Sequence, residues 1–106
     1  MEKKRFIAEL QENEKLVSSF LVKAKTLGKT RSGNPFLRIR LTDHTGETEG
    51  RIWERALEFD QDFSVSDVVR VRARVERYQD KLQLNISDIE RVDPEEVDPT
   101  LFLPTG

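Results

Sequence analysis

The segment from Val69 to Val75 places an apolar residue at every odd position and an arginine at every even one. A period of two is that of an extended strand with one face in a core and the other in solvent. The same alternation recurs over 37–41 and, with uncharged polar partners, over 82–86. Two less regular apolar stretches, about 17–29 and 47–53, complete five predicted strands. The chain is therefore predicted to be an all-β protein with little helix.

The connections between these strands predict how they are arranged. Turn residues join the first two strands over 31–35, and the hairpins at Asp43–Gly46 and Tyr78–Lys81 follow. Only 54–63 has helical spacing of its apolar residues, so one short helix is expected between the third and fourth strands. This order is typical of the OB-fold, a five-stranded Greek-key barrel, with the helix at one end. An SH3-like barrel is the nearest alternative, but it normally lacks a helix at this place. The residues expected on the apolar side of the helix are Ala56, Leu57, Phe59 and Phe63.

The chain of 106 residues is expected to form one domain with an extension at each end. We assign 1–15 to an N-terminal lead-in, 16–92 to the OB-fold domain and 93–106 to an acidic, proline-containing linker. The lead-in is expected to pack beside the barrel through Phe6, Ile7 and Leu10. The apolar run 101–103 has little to bury against in so small a domain, which indicates a fragment that continues toward a missing C-terminal domain.

Composition argues against catalysis by this chain. There is no cysteine and only one histidine, His44, which lies in a predicted turn and is expected to be exposed and structurally idle. The segment Gly28-Lys29-Thr30 lacks the upstream glycine and the following helix of a phosphate-binding loop. We therefore expect no catalytic residue and no metal ligand. There is no apolar stretch long enough for a membrane helix and no signal peptide, so we expect a cytoplasmic protein without a membrane partner.

The net charge of −2 conceals a basic segment. Between Lys23 and Thr42 there are six lysines and arginines and no acid, whereas acids concentrate over 54–67 and after Val92. A cationic stripe on an otherwise acidic protein suits the binding of a polyanion. A solvated strand face is an equal alternative on charge alone.

Strand alternation predicts which side chains share the outer face of the second and third strands. Apolar residues at 37, 39, 41 and 52 point inward, which leaves outward Phe36, Arg38, Arg40, Glu49, Arg51 and Trp53. In OB-folds this face receives oligonucleotides. Rings accept unstacked bases and arginines neutralise phosphates, so the pattern predicts single-stranded nucleic-acid binding with weak sequence preference and strong salt dependence.

Further contacts are predicted around this face. The walls of the groove are expected to be Lys29, Arg31, Tyr78 and Lys81, with hydrogen bonds from Gln83 and Asn85. Each ring has a structural alternative, because Phe36 and Trp53 could instead be covered by the lead-in or the helix. Three arginines of the fourth strand face away from the usual groove and are interpreted as solubility residues that can pair with nearby acids, namely Arg70, Arg72 and Arg74.

Several motifs resemble those of a known family. They are Phe20-Leu21-Val22-Lys23, Gly33-Asn34-Pro35-Phe36-Leu37, Leu41-Thr42-Asp43, Thr45-Gly46, Ile52-Trp53, Asp67-Val68-Val69, and Tyr78 with Leu82-Gln83-Leu84-Asn85-Ile86. Together they resemble the N-terminal OB-fold domain of the HD-domain 3′→5′ exoribonucleases of YhaM type. The likeness covers about residues 6–104.

The resemblance implies a binding role for this chain. In that family the OB domain binds the strand and an HD domain with divalent metal hydrolyses it, so the implied partners are single-stranded RNA or DNA, RNA being favoured, and an HD domain on the same polypeptide. No cofactor is implied for the chain itself. Phe36 stands where tyrosine is usual, and Ala73 and Asp80 stand where glycine is usual. Asp80 puts an acid in a loop that should face phosphate, which weakens the assignment of Lys81.

Two other functions remain open from the sequence. The first is a protein–protein or oligomerisation module with the apolar ends 6–7 and 101–103 as its adhesive, which would allow a homo-oligomer. The second is a domain of the tRNA-anticodon-binding type.

Overall fold

The computed structural model describes residues 6–96 and shows a closed barrel of five strands in the order β1-β2-β3-β5-β4. The elements are β1 (Lys15–Lys29), β2 (Pro35–Asp43), β3 (Gly46–Ile52), α1 (Ala56–Asp60), β4 (Val68–Tyr78) and β5 (Lys81–Val92). The pairs are antiparallel except β3 with β5, which are parallel. The predicted OB-fold is confirmed, with its single short helix between β3 and β4.

The first strand serves both halves of the barrel. Residues 15–21 pair with β4, and residues 21–29 pair with β2. The register shifts between Val22 and Ala24. A local irregularity of this kind bends a strand and increases its twist, which lets one strand close the sheet on itself.

Buried and exposed side chains alternate along the strands as the sequence pattern predicts. Leu37, Ile39 and Leu41 are fully buried, while Arg38 and Arg40 between them are exposed. The apolar positions of 69–75 are likewise buried and its arginines exposed. These inward side chains form one contiguous core, and their burial is the main favourable term in folding.

The helix is shorter than predicted. It spans Ala56–Asp60 instead of 54–63, and Leu57 is exposed although Ala56, Phe59 and Phe63 are buried. Lys25 of β1 lies at its end: Nζ donates to the carbonyl oxygens of Asp60 at 2.8 Å and of Phe63 at 2.7 Å. The last carbonyl groups of a helix have no partner within the helix. A lysine from a distant strand therefore satisfies one of them and stabilises the chain where it leaves the helix.

The lead-in packs beside the barrel as predicted. The Ile7 N–H donates to Oδ2 of the buried Asp43 at 2.9 Å, and Leu10 joins the core. The Phe6 ring meets the His44 ring edge-on, with centroids 4.9 Å apart. The expectation that His44 is structurally idle is therefore wrong, because the turn that carries it lies under the lead-in.

The ends of the chain are described only in part. After β5 the structure shows a short 3₁₀ turn at Pro94–Glu96. The predicted apolar adhesive at 101–103 lies outside the described residues. Within the described part, no helix is long and apolar enough to cross a membrane.

Candidate nucleic-acid interface

Two aromatic rings stack at one end of the face formed by β2 and β3. The ring centroids of Phe36 and Trp53 are 5.2 Å apart and their planes are inclined by 30°. Trp53 is 41% exposed and Phe36 is half-buried, so neither ring lies inside the barrel. The Phe36 ring covers its cross-strand partner Gly28, where a Cβ atom would come within 3.0 Å of the ring. The absence of a side chain at Gly28 thus lets the ring lie flat against β1.

Arg51 extends this stack toward the other end of the face. Its guanidinium carbon lies 5.7 Å from the centroid of the Trp53 ring and 5.5 Å from that of Tyr78. Both distances are within the range of cation–π attraction. Phe36, Trp53, Arg51 and Tyr78 thus form one continuous row of flat groups, which we call the aromatic platform. Tyr78 is 51% exposed and Trp53 is exposed as well, so the platform is open to solvent at its Tyr78 end and at the indole, while Phe36 at the other end is half-buried.

A carboxylate lies within the cationic face. Glu49 Oε2 accepts a hydrogen bond from Arg51 Nε at 3.0 Å, and Glu49 Oε1 lies 3.8 Å from Arg38 Nε. Arg40 is the cross-strand partner of Glu49 and is exposed. The three arginines predicted for this face therefore do share it, but two of them also share one acid. The sequence showed Glu49 as outward-facing and did not reveal this organising contact, which depends on the register of β2 and β3.

A cleft of about 600 Å³ lies between β3 and the hairpin of β4 and β5. The predicted residues that line it are Arg40, Arg51, Tyr78, Lys81 and Gln83. The acids Glu47 and Glu49 line it as well, and Ile7, Leu10 and Leu82 supply apolar surface. The cleft thus combines apolar surface with a rim of three basic and two acidic side chains, next to the exposed end of the aromatic platform.

The turn that carries Tyr78 and Lys81 has an unusual backbone. Gln79 and Asp80 both have positive φ, of 50° and 65°. A two-residue hairpin loop with this conformation matches the right-handed twist of the flanking strands but suits glycine and asparagine best. The turn places Tyr78 and Lys81 opposite each other at the rim of the cleft, with the exposed Asp80 beside them.

Three of the predicted wall and hydrogen-bonding residues lie away from the cleft. Lys29 ends β1 and Arg31 follows in the hairpin loop, both exposed near Phe36 at the far end of the platform. Asn85 is the register partner of Arg51, but its Nδ2 lies 3.4 Å from Glu76 Oε2 and it lines a different cleft. Asn85 therefore lies beside the platform and outside the main cleft.

Other basic residues have structural partners. Lys25 of the cationic stripe is only 18% exposed and forms an ion pair with Asp60 at 3.1 Å, so it stabilises the fold. Lys23 forms an ion pair with Glu47 at 3.1 Å. Of the three arginines on β4 that were interpreted as solubility residues able to pair with acids, Arg70 pairs with Glu90. Arg72 and Arg74 are exposed and form no ion pair among residues 6–96, so the possible pairing with nearby acids does not occur for these two.

The donor inventory offers no centre for a metal ion in the described part of the chain. No three carboxylate or histidine side chains of residues 6–96 come together in a group that could hold one. What the face presents is flat rings, guanidinium groups and amides. Such groups can stack on bases and pair with phosphates.

Comparison with known sequences finds a family model and a relative that match the chain. The family model for tRNA anti-codon domains, described as an OB-fold nucleic acid binding domain, matches residues 20–92. The 3′-5′ exoribonuclease YhaM of Halalkalibacterium halodurans is 35% identical over 85 residues, which is 80% of this chain and 27% of that protein. The chain thus corresponds to a minor part of that relative's length.

Solved structures show the same fold. The second OB-fold domain of replication protein A from Methanococcus maripaludis superposes with a TM-score of 0.67 at 21% identity, covering 84% of this chain and 94% of that one. The mitochondrial single-stranded DNA-binding protein Rim1 of S. cerevisiae gives 0.60 at 13% identity, covering 77% and 97%. The small single-stranded DNA-binding protein of Streptomyces coelicolor gives 0.60 at 14% identity, covering 83% and 99%.

Proposed function

Because the chain belongs to the tRNA anti-codon family of OB-fold nucleic acid binding domains, we propose that it binds single-stranded nucleic acid across the outer face of β2 and β3. The observation that carries this proposal is the aromatic platform. Four flat groups follow one another from Phe36 to Tyr78 on an open face, flanked by Arg38 and Arg40. A structural role alone would not require so exposed a series of rings.

The chemistry of the platform determines the kind of binding. Stacking of a base on an aromatic ring contributes about 1–3 kcal/mol and tolerates any base, since every base has a π-face. Arginines that contact phosphates release counterions, so the affinity falls as salt rises. Neither group reads a base edge. We therefore expect binding with weak sequence preference and a steep salt dependence.

We further propose that RNA is the preferred strand and that the domain delivers it to a catalytic domain. The support is the likeness to the exoribonuclease YhaM. The finer hypothesis is that the domain is the substrate-binding part of a cytoplasmic, metal-dependent 3′→5′ exoribonuclease, with an HD domain on the same polypeptide. That domain would hold the divalent metal and break the phosphodiester bond, while this chain would bind and orient the strand. The reading frame beyond Gly106, searched for an adjacent His-Asp pair within a helical domain, tests this linkage.

A titration followed by intrinsic fluorescence tests the binding itself. Trp53 is the only tryptophan, so a base that stacks on the platform should quench a signal from one known position. We expect quenching by oligouridylate and oligothymidylate at low salt, with tighter binding of the RNA and loss of affinity as salt rises. If neither oligomer binds at low salt, the proposal is refuted. Tighter binding of an anticodon stem-loop than of either oligomer would favour the tRNA-binding alternative.

A further inference from the structure

A second cleft of about 560 Å³ lies on the outer surface of β1, β4 and β5. The residues of interest in it are Lys15, Val17, Arg72, Arg74, Asn85 and Ser87. Val17 is 36% exposed and gives the cleft an apolar part, whereas Lys15 on β1 and Arg72 and Arg74 on β4 give it positive charge. We call Lys15, Arg72 and Arg74 the basic groove. This surface adjoins the aromatic platform, because β4 also carries Tyr78 at its end.

The cations of the basic groove lack an acidic partner in the described part of the chain. Among residues 6–96, Lys15, Arg72 and Arg74 take part in no ion pair. Two other arginines of β4 do: Arg70 pairs with Glu90, and Arg77 pairs with Glu12. Two acids lie nearby. Glu76 is within 3.4 Å of the Asn85 amide, and Asp88 is the cross-strand partner of Arg72. Neither approaches a cation of the groove to within 4 Å, so the groove retains its positive charge.

The strand register connects the groove to the platform. Arg51 of β3 is the partner of Asn85 on β5, Asn85 is the partner of Arg74 on β4, and Arg74 is the partner of Lys15 on β1. These four residues form a row across four adjacent strands, which spans about 14 Å at the usual strand spacing. Arg51 belongs to the platform and Arg74 to the groove, so Asn85 is the polar bridge between the two.

We propose that the basic groove holds the phosphate backbone of the nucleic-acid strand after it has crossed β5 from the platform. The inference rests on the proposed function and extends it, because it gives the bound strand a path across β5 and a second contact region. A flexible polyanion can follow a row of cations around a barrel, whereas a folded partner would need a flat or matching surface. On this proposal the Asn85 side chain lies on the path between the two regions, while the Ser87 hydroxyl lines the groove and donates to the Arg72 carbonyl oxygen at 3.2 Å.

The experiment compares a short and a long oligonucleotide. Oligouridylates of about 5 and about 15 nucleotides lie near the lower and upper ends of the range of lengths that single OB-folds cover. In the double variant Lys15→Gln, Arg74→Gln we expect about a tenfold loss of affinity for the long oligomer, and a salt slope shallower by about 1.4, since two phosphate contacts of a single strand are lost. The affinity for the short oligomer should not change, because that oligomer occupies the platform alone.

A matched control removes the same charge elsewhere. The double variant Arg70→Gln, Arg91→Gln also loses two positive charges, but both arginines are ion-paired, with Glu90 and Asp67. It should bind both oligomers nearly as the unmodified protein does. Thermal unfolding of all variants checks that each is folded at the temperature of the titration. Equal affinities of the Lys15, Arg74 variant and the control for the long oligomer would overturn the second contact region, even where the short oligomer still binds. Failure of both oligomers to bind the unmodified protein would overturn the proposed function and the groove together.

Discussion

Glu49 accepts a hydrogen bond of 3.0 Å from Arg51, and this contact holds the guanidinium group between the rings of Trp53 and Tyr78. The acid has two opposing effects on a bound polyanion. It orients a stacking group, and it places a negative charge where phosphates would lie. Arg38 approaches the same carboxylate at 3.8 Å, so one acid moderates the charge of two arginines.

Replacement of Glu49 by Gln separates these effects. The amide can still bond to Arg51, but the negative charge is removed, so we expect oligouridylate to bind about fivefold more tightly at low salt, which corresponds to about 1 kcal/mol of relieved repulsion. Quenching of Trp53 measures the change. Arg51→Gln should have the opposite effect. Weaker binding of the Glu49→Gln variant would show that orientation outweighs charge.

The exposed ring of Trp53 is expected to carry more binding energy than any other side chain of the platform. Trp53→Ala should weaken binding by about 1–3 kcal/mol through the lost stacking surface, with little effect on folding since the ring is largely outside the core. Fluorescence anisotropy of a labelled oligomer measures this without the tryptophan. Leu57→Ala is the matched control, because Leu57 is a large apolar side chain, 54% exposed on α1, that does not belong to the platform. Equal affinity of the two variants would contradict the role of the platform.

Arg38 is expected to act through charge. Arg38→Ala should weaken binding and make the salt slope shallower by about 0.7, the value for one phosphate contact on a single strand. Titrations at several salt concentrations measure the slope. An unchanged slope would show that Arg38 serves only as a partner of Glu49.

Local patterns account for the parts of this structure that could be predicted. The alternation at 37–41 and 69–75 fixes which residues are buried, because side chains of a strand alternate between its two faces. The short hairpin at Asp43–Gly46 fixes the pairing of β2 with β3, and with it the placement of Arg38 opposite Arg51. These two features suffice to bring Phe36, Trp53 and the arginines to one face.

Contacts between distant parts of the chain account for the rest. The helix ends early at Asp60, where its carbonyl group meets Lys25, a residue of β1. His44 has a ring partner because the lead-in returns over its turn. The open cleft at Lys15 and Arg74 depends on the pairing of the first strand with the fourth. No local sequence pattern encodes contacts between residues so far apart in the chain. The basic residues at 23–42 and the arginines of β4 could therefore not be divided, from the sequence alone, into those with a structural partner and those without an ion pair.

A substitution of Lys25 tests whether a basic residue with structural partners contributes to stability and not to binding. Lys25→Met removes two charge-assisted hydrogen bonds and a largely buried ion pair while keeping an unbranched apolar chain one atom shorter, so we expect a loss of about 2 kcal/mol of unfolding free energy. Affinity for oligouridylate, measured well below the unfolding temperature, should stay the same. Chemical denaturation gives the stability. Lys23→Met is the control, since its exposed ion pair with Glu47 contributes at most about 1 kcal/mol. Equal stability of the two variants would contradict the structural role of Lys25.

The turn at Gln79 and Asp80 links stability to binding at one position. Both residues have positive φ, a conformation that costs an ordinary residue roughly 1–2 kcal/mol and aspartate somewhat less. Asp80→Gly removes that cost but adds freedom to the unfolded chain, so the net gain should be about 0.5 kcal/mol. It also removes an acid beside Lys81, so oligouridylate should bind more tightly, and the gain should shrink as salt screens the charge.

Two single variants separate the backbone effect at this turn from the charge effect. Gln79→Gly relaxes the backbone without a change of charge, so it should raise the unfolding temperature by a few degrees and leave affinity unaltered. Asp80→Asn removes the charge and keeps a residue that tolerates positive φ, so it should raise affinity with little change in stability. Calorimetry and titration of the three variants together give both quantities. If Asp80→Asn leaves affinity unchanged at low salt, then the hairpin does not face phosphate, and the assignment of Lys81 to the interface is wrong even if Trp53 is confirmed.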